Sequence, residues 1–329
     1  MRLTHAPPPM VSLCPLRFGR IVLLIALLVG TAGCYLQPRP LQPPPPPPTA
    51  ALTAPPTHLR AFDSADALAA YLRWTPDAGP MVSAHRGSPA PGYPENSIAT
   101  FERALAYAPA LLETDVRLTA DSVLVLLHDE TLDRTTTGTG LLSATPAAAL
   151  RDLRLRDVVE RPTPHSIPTL AEALVWANER AVLLLDIKRG VPPHTVVAAI
   201  REAEAANRVV VIVYTPEALA AFYVLAPDLV YSVTTRTPEE LDAVLATGAD
   251  PARMIAFTGV GEVNLAVIER LHGLGIRAQL GTFGALDSVA FTQGPSAYHA
   301  LLDAGIDVIA TDYVPMAAFA VSQWQRSAE

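Results

Sequence analysis

The sequence predicts an α/β fold built on a parallel β-sheet, and three observations support this interpretation. From residue 81 onward, short apolar segments alternate with Ala-rich segments of helical length. The apolar segments are near-continuous hydrophobic runs, which is typical of strands that are buried on both faces. Roughly 250 residues follow the first eighty, a length that suits one α/β barrel or two small domains. This pattern alone leaves a TIM-like barrel and a doubly wound sheet both open.

Nine strands and eight helices are predicted in this region. The strands are expected at 81–84, 110–117, 123–128, 182–187, 208–214, 229–233, 253–257, 276–280 and 306–311. The helices are expected near 97–107, 145–153, 168–180, 193–206, 215–225, 237–246, 262–273 and 295–304. Since a barrel requires eight strands, one of the nine is expected to be peripheral. The weakest strand pattern is that of 253–257, and the link between 117 and 123 is too short for a helix.

The N-terminus predicts export from the cytoplasm. Basic residues precede the apolar run 21–30, which is followed by Thr31-Ala32-Gly33-Cys34. This order predicts a signal peptide over residues 1–33. The small residues before Cys34 resemble the bacterial lipoprotein lipobox. The resemblance implies cleavage before Cys34 and acylation of that residue. It also implies a lipid-anchored protein of the cell envelope, with its folded domain on the extracytoplasmic side. A single transmembrane anchor is the alternative, although the run is short for a span of about 20 residues.

A proline-rich tether is predicted over residues 34–60, with an unbroken proline run at 43–48. Such segments adopt extended polyproline II structure and act as stiff spacers. At about 3.1 Å per residue, the part between 38 and 56 could span about 60 Å. A ligand for an SH3-type domain is the alternative reading. A leading helix is expected within 61–80, and the main folded domain within 81–320.

Charge and cysteine content exclude some classes of protein. The chain carries a net charge of -8, and only 17% of its residues are charged. A nucleic acid is therefore not expected as a partner, because it would meet repulsion instead of a basic surface. Both cysteines, Cys14 and Cys34, lie ahead of the predicted fold, so a disulfide framework within that fold is excluded.

Paired carboxylates are predicted on one strand. Glu113 and Asp115 are two residues apart in an apolar strand, so their side chains share a face. Two uncompensated buried carboxylates are costly, and a bound Mg²⁺ or Ca²⁺ would offset that cost. Ion pairs with arginines at a strand end are the alternative. Asp186 and Lys188 repeat the spacing at the C-terminal end of another apolar strand, where barrel active sites are built.

Two histidines end strands beside polar neighbours. His85 and Arg86 follow the first strand, and Gly87 permits close approach of the backbone. His128 ends the third strand in the same way. Histidine suits proton transfer near neutral pH, and an arginine fork suits phosphate oxygens. The other histidines are interpreted as structural.

In order and spacing, these segments resemble the glycerophosphodiester phosphodiesterase family over residues 81–315. The matching motifs are His85-Arg86-Gly87, Pro94-Glu95-Asn96-Ser97, Glu113-Thr114-Asp115, His128-Asp129, Thr131 to Thr136, Ile167 to Leu170, Asp186-Ile187-Lys188 and Gly305 to Asp312. The resemblance implies a TIM-like (β/α)8 barrel of the PLC-like phosphodiesterase type. It also implies metal-dependent hydrolysis of glycerophosphodiesters to glycerol phosphate and an alcohol.

The resemblance further implies roles for seven residues. They are His85 and His128 as the acid–base pair, Arg86 and Lys188 as phosphate contacts, and Glu113, Asp115 and Asp186 as ligands of one divalent cation, Mg²⁺ or Ca²⁺. Attack by water and attack by the substrate's own glycerol hydroxyl, through a cyclic phosphate, are both compatible with this set.

The sequence departs from the family pattern in three places. Asp186 stands where the family has Glu, which puts its role as a direct ligand in question. Residues 276–284 lack the tryptophan of the family's Trp-Thr pair, which predicts a different pocket wall. The segment 130–167 is short, which predicts an open site. The turn at 94–97 either touches the site or only caps the next helix through Ser97.

Two other functions remain open at this point. The first is a lipoprotein that binds phosphorylated ligands without turning them over. The second is a lyase that uses Lys188 as a Schiff-base amine, since a lysine at a strand end permits that chemistry.

Overall fold

A computed structural model of the chain describes residues 57–328. The predicted signal peptide, Cys34 and all but the last residues of the predicted tether lie outside these residues. Between 57 and 328, no helix combines the length and the apolar character that crossing a membrane requires.

The strands form a closed parallel barrel. They are β1 (Met81–Ala84), β2 (Leu111–Leu118), β3 (Leu124–Leu126), β4 (Val182–Ile187), β5 (Val209–Val213), β6 (Val230–Thr234), β7 (Met254–Val260), β8 (Arg277–Gly281) and β9 (Val308–Thr311). Eight of them pair in the order β1-β2-β4-β5-β6-β7-β8-β9, and β9 pairs again with β1. This closure confirms the TIM-like barrel and excludes the doubly wound sheet.

The ninth strand is β3, which pairs antiparallel with the end of β2. The link between the two strands is too short for the helical crossover that a parallel neighbour needs, so the chain folds back on itself. The segment with the weakest strand pattern, 253–257, lies within β7, a full barrel strand between β6 and β8. The peripheral strand is therefore β3.

The helices of the described region surround the barrel. They are α1 (Ala65–Leu72), α2 (Ile98–Leu105), α3 (Ala147–Leu150), α4 (Leu170–Trp176), α5 (Pro193–Glu202), α6 (Pro216–Leu225), α7 (Pro238–Leu245), α8 (Leu265–Gly273), α9 (Ala285–Gln293), α10 (Ser296–Asp303) and α11 (Val314–Ala328). The sequence did not predict α9 and α11. The N-cap of α9 is Gly284, which offers no capping side chain, so the usual signal for a helix start is missing there.

The interior of the barrel near its N-terminal end is filled with apolar side chains. Leu68 and Leu72 of α1 are buried against side chains that point into the barrel. These inward-facing side chains are Leu111, Val182, Leu184, Val210, Val230, Ile255 and Val308. Because α1 fills this end, the interior opens only toward the C-terminal ends of the strands, where the polar side chains lie.

Candidate active site

Three buried carboxylates converge at the C-terminal end of the barrel. In the pairing of β2 with β4, Asp115 lies opposite Asp186, and Glu113 lies two residues earlier on the same face of β2. One ligand oxygen of each residue lies within 4.8 Å of the others. All three residues are buried, with at most 7% of their surface exposed. The prediction that Glu113 and Asp115 share an inward face is confirmed.

The charges of these carboxylates are only partly compensated. The Nζ atom of Lys188 lies 2.6 Å from Asp115 Oδ1 and 2.5 Å from Asp186 Oδ2. Glu113 Oε2 accepts a hydrogen bond from the backbone N–H of Arg86 at 2.7 Å. Asp186 Oδ1 is buried and has no hydrogen-bond partner. One ammonium group therefore serves two carboxylates, and the cluster keeps a free acceptor oxygen.

The pKa values of the neighbouring carboxylates on β2 move in opposite directions. Burial and the charge of Asp115 raise the pKa of Glu113 to about 8, against the opposing effect of His85 and the Arg86 backbone. Burial would also raise the pKa of Asp115, but Lys188 and a hydrogen bond from Asn96 outweigh it and lower that pKa. The lowered pKa of Asp115 favours its ionised form at neutral pH, and the raised pKa of Glu113 favours its protonated form.

Arg86 occupies a left-handed backbone conformation in a short 3₁₀ turn, His85–Gly87, that follows β1. Its φ of 49° and ψ of 28° direct its N–H toward Glu113. The turn leaves no room for a side chain at Gly87, where a Cβ would lie 2.8 Å from the Phe101 ring. The Arg86 guanidinium contacts Glu95 at 3.2 Å, and its Nε has no hydrogen-bond partner.

The turn at 94–97 contributes to the site as well as to the helix. Ser97 caps α2 by accepting a hydrogen bond from Thr100 N–H, as predicted. Asn96 Nδ2 donates to Asp115 Oδ2 at 2.7 Å, and Asn96 Oδ1 accepts from the Asp115 N–H at 2.9 Å. Asn96 therefore fixes the orientation of a cluster carboxylate, a role that the sequence analysis did not assign to it.

His85 is held on two sides. Its Nδ1 lies 2.7 Å from Asp312 Oδ1, and its ring stacks on Phe283 with a centroid distance of 4.4 Å. Burial alone would lower the pKa of His85, but the hydrogen bond to Asp312 and the charge of Glu113 raise it above its ordinary value. Although the family's tryptophan is missing, Phe283 places an aromatic ring against the histidine.

His128 is connected to Arg86 through a chain of ion pairs. His128 Nδ1 lies 2.7 Å from Asp129 Oδ1, and Asp129 Oδ2 accepts from Arg134 Nε at 2.7 Å. Arg134 also donates to both oxygens of Glu95 at 2.8 Å, and Glu95 contacts Arg86. Hydrogen bonds from Arg134 hold the pKa of Asp129 well below its usual range. Asp129 is therefore ionised, and it accepts a hydrogen bond from the Nδ1–H of His128.

Tyr214 stands at the rim of the site. It follows β5, and 56% of its surface is exposed. Burial of its hydroxyl and the neighbouring charge of Asp186 raise the pKa of Tyr214, so the hydroxyl keeps its proton. The sequence analysis did not predict this residue.

The structure thus brings six of the predicted residues into one cluster and connects the seventh, His128, through Asp129, Arg134 and Glu95. The cluster contains His85, Arg86, Glu113, Asp115, Asp186 and Lys188. The catalytic and binding roles of these residues stay predictions. The predicted lipidation site, Cys34, lies outside the described residues.

A comparison with known protein families finds a match over most of the barrel. The model of the glycerophosphoryl diester phosphodiesterase family matches residues 85–316. A glycerophosphodiester phosphodiesterase from Caldanaerobacter subterraneus is 33% identical over 159 residues, which are 45% of this chain and 64% of that protein. The chain therefore spans less than two thirds of the length of this curated relative.

Solved structures share the fold. A glycerophosphoryl diester phosphodiesterase from Parabacteroides distasonis superposes with a TM-score of 0.77 at 33% identity, covering 81% of this chain and 94% of that one. A phosphodiesterase from Oleispira antarctica, solved with the product sn-glycerol-3-phosphate, has a TM-score of 0.59 at 23% identity. That match covers 74% of this chain and 97% of the other, and it concerns the fold alone.

Proposed function

Because the chain belongs to the glycerophosphoryl diester phosphodiesterase family, we propose that it hydrolyses glycerophosphodiesters to glycerol phosphate and an alcohol. The observation that carries this proposal is the convergence of three buried carboxylates with Arg86 and Lys188 at the open end of the barrel. The Oleispira antarctica phosphodiesterase was solved with sn-glycerol-3-phosphate, the product class proposed here.

We propose that Glu113, Asp115 and Asp186 hold one divalent cation, Mg²⁺ or Ca²⁺. The donor set fits, because carboxylate oxygens are the ligands that these hard cations prefer. The unpartnered Oδ1 of Asp186 supports its role as a ligand although its side chain is one methylene shorter than that of glutamate. When bound, the ion supplies positive charge that stabilises the negative charge of the reacting phosphate oxygens.

Arg86 and Lys188 are suited to hold the phosphate. Both side chains are largely buried beside the carboxylates, with 19% and 17% of their surface exposed. The Nε–H of Arg86 lies 3.6 Å from Asp115 Oδ2 but makes no hydrogen bond, so it is suited to donate to a phosphate oxygen. The two cations thus place fixed positive charge where the phosphodiester carries its negative charge, which is the main way that proteins accelerate phosphoryl transfer.

His85 and His128 are suited to move protons. The Nδ1 atom of each lies 2.7 Å from a carboxylate oxygen, of Asp312 and Asp129 respectively, so Nε2 is the atom left for exchange with the substrate. One histidine takes the proton of the attacking hydroxyl as the new P–O bond forms. The other gives a proton to the alcohol oxygen as its bond to phosphorus breaks. Attack by water and attack by the glycerol hydroxyl both require this pair of histidines.

The lyase alternative is disfavoured by the surroundings of Lys188. Burial would lower the pKa of Lys188, but Asp115 and Asp186 outweigh it and raise that pKa. An ammonium held between two carboxylates is a poor Schiff-base nucleophile, since that chemistry needs the neutral amine. The binding-only alternative is disfavoured because both histidines carry the carboxylate partners that acid–base catalysis uses.

We also propose that residues 1–33 are a signal peptide and that Cys34 is acylated. The proline-rich segment then holds the enzyme away from a bacterial envelope membrane, on its extracytoplasmic side. The support is the order of basic, apolar and small residues before Cys34. Mass spectrometry of the mature protein should find Cys34 at its N-terminus, acylated on the thiol and the amino group, and Cys34→Ser should abolish this modification. An unmodified mature Cys34 would contradict the proposal.

Hydrolysis by the full chain tests the proposed activity. Glycerophosphocholine, glycerophosphoethanolamine and glycerophosphoglycerol are incubated separately with the protein and Mg²⁺ or Ca²⁺, and glycerol phosphate is measured. His85→Ala and His128→Ala should each lower kcat about a hundredfold or more. His299→Gln is the matched control, because His299 on α10 bonds only a backbone carbonyl. Hydrolysis of none of the three substrates, or unchanged turnover in His128→Ala, would overturn the proposal.

A further inference from the structure

A second cavity lies at the opposite end of the barrel from the carboxylate cluster. Its volume is about 620 Å³, within the range of small-molecule binding sites. It is bordered by α1, by Met81 at the start of β1, by Arg277 at the start of β8, and by α11. Because parallel strands begin at one end of the barrel and finish at the other, this cavity and the candidate active site do not overlap.

Four basic side chains line this N-terminal cavity. They are His58, Arg60, Arg73 and Arg277, and no Asp or Glu within residues 57–328 lines it. Within residues 57–328, none of the three arginines forms an ion pair with a carboxylate. This is notable in a chain whose net charge is -8. A concentration of unpaired cations around one cavity attracts anions.

One acidic residue, Asp307, interacts electrostatically with Arg277. The charge of Asp307 acts on Arg277, but Asp307 Oδ2 accepts from His272 Nε2 at 2.9 Å and from the Ala278 N–H at 2.7 Å. Asp307 therefore offsets part of the Arg277 charge, while its Oδ2 is used in two structural hydrogen bonds.

Two buried donors beside the cavity have no acceptor among residues 57–328. Only 3% of the surface of Arg277 is exposed, and its Nη1 donates to the Gly79 carbonyl at 3.0 Å while its Nε has no partner. The hydroxyl of Tyr107, which also lines the cavity, has no partner either. These two atoms have almost no accessible surface, so the cations that a ligand in the cavity can reach are the exposed side chains of Arg60 and Arg73.

The remaining walls of the cavity are apolar or aromatic. Arg60 lies over the ring of Tyr71 at 5.7 Å from its centroid, and Met81, Pro109 and Val321 add apolar surface. The chain segment that precedes the described residues, 35–56, contains no Asp or Glu, so its side chains cannot supply the missing negative charge.

We propose that the N-terminal cavity binds a phosphate ester that also carries an apolar part, at a site separate from the catalytic one. Arginine forks match the oxygens of a phosphate group, and Arg60, Arg73 and Arg277 place three of them around one cavity. The apolar walls accommodate the rest of the molecule. A phospholipid headgroup and a soluble phosphate ester share this chemistry.

Calorimetric titration of the full chain, with chelator present, tests the proposal. The probes are inorganic phosphate, glycerol 3-phosphate, dioctanoyl phosphatidic acid and, as the zwitterionic control, dioctanoyl phosphatidylcholine. Arg60→Gln combined with Arg73→Gln changes two exposed side chains and should weaken binding of phosphatidic acid about tenfold or more. Arg151→Gln, at an exposed arginine outside the cavity, should leave it unchanged.

Further measurements distinguish a lipid ligand from a soluble one, and the N-terminal cavity from the catalytic site. Tighter binding of phosphatidic acid than of glycerol 3-phosphate indicates a lipid headgroup. Equal binding of the two would contradict the apolar part of the proposed ligand. The double variant should keep the turnover of the unmodified enzyme, and phosphatidic acid should raise the Tm of the unmodified chain more than that of the double variant. Arg277→Met, checked for an intact fold by circular dichroism, should lose binding too. Absence of binding, or binding that the double variant does not weaken, would overturn the proposal.

Discussion

The affinity of the site for a divalent cation should rise with pH because Glu113 has to lose a proton before it can ligate. Burial and the charge of Asp115 raise the pKa of Glu113 to about 8 in the metal-free protein. A carboxyl group binds a hard cation in its ionised form, so the proton and the cation compete for it. At neutral pH, part of the binding free energy is therefore used to displace this proton.

The size of the effect follows from that pKa. At pH 7 about one tenth of the Glu113 side chains are ionised, and at pH 6 about one hundredth. The apparent Kd for Mg²⁺ or Ca²⁺ should therefore fall about tenfold between pH 6 and pH 7 and about tenfold again between pH 7 and pH 9. Above pH 9 it should be constant. Close to one proton should leave the protein for each ion bound at pH 7.

Isothermal titration calorimetry of the chelator-treated chain measures both quantities. Repeating the titration in buffers of different ionisation enthalpy counts the released protons. Glu113→Gln should bind the ion more weakly, with a much flatter pH dependence, because the titrating ligand is gone. A Kd that does not change between pH 6 and pH 8, or binding without proton release at pH 7, would refute the reasoning about Glu113.

Three further predictions concern the surroundings of the site and the fold. Arg134→Ala should lower kcat about tenfold or more while the Tm changes little, because Arg134 holds Asp129, the partner of His128; an unchanged kcat in steady-state assays would contradict this. Asp312→Asn should lower the pKa of His85, because Asp312 helps to raise it. The corresponding limb of the pH–rate profile should therefore move to lower pH. An unchanged pH–rate profile would count against this contact. Leu68→Ala should lower the free energy of unfolding by about 2–5 kcal/mol, because Leu68 is fully buried among the apolar side chains at the N-terminal end of the barrel. A loss below about 1 kcal/mol in denaturant titration would be inconsistent with that packing.

The sequence predicted the strands and the strand-end residues because both follow from short-range rules. Glu113 and Asp115 share a face by the two-residue period of a strand, and pairing of β2 with β4 places Asp186 opposite Asp115. His85, Arg86 and Lys188 follow strands that all end at the same side of the barrel. Asp312 also follows a strand, β9, so the same rule could have assigned it to the site.

Other site residues could not be read from the sequence because their positions depend on tertiary contacts. Asn96 reaches Asp115 from a turn, in a left-handed conformation with a φ of 58° that no sequence pattern specified. Arg134 lies 39 residues after Glu95 and meets it only in the folded chain. Phe283 contacts His85 because β8 and β9 place it there, although residues 276–284 lack the family's tryptophan. Long-range pairing, and not local pattern, positions these side chains.

Turnover during a metal titration tests the central claim most directly. The full chain is freed of metal with a chelator, its metal content is measured, and release of glycerol phosphate from a glycerophosphodiester is followed as Mg²⁺ or Ca²⁺ is added. We predict that the metal-free chain is inactive, that activity returns with one bound ion per chain, and that Asp186→Ala does not regain it under the same conditions. Full turnover by a chain shown to contain no metal would contradict the account.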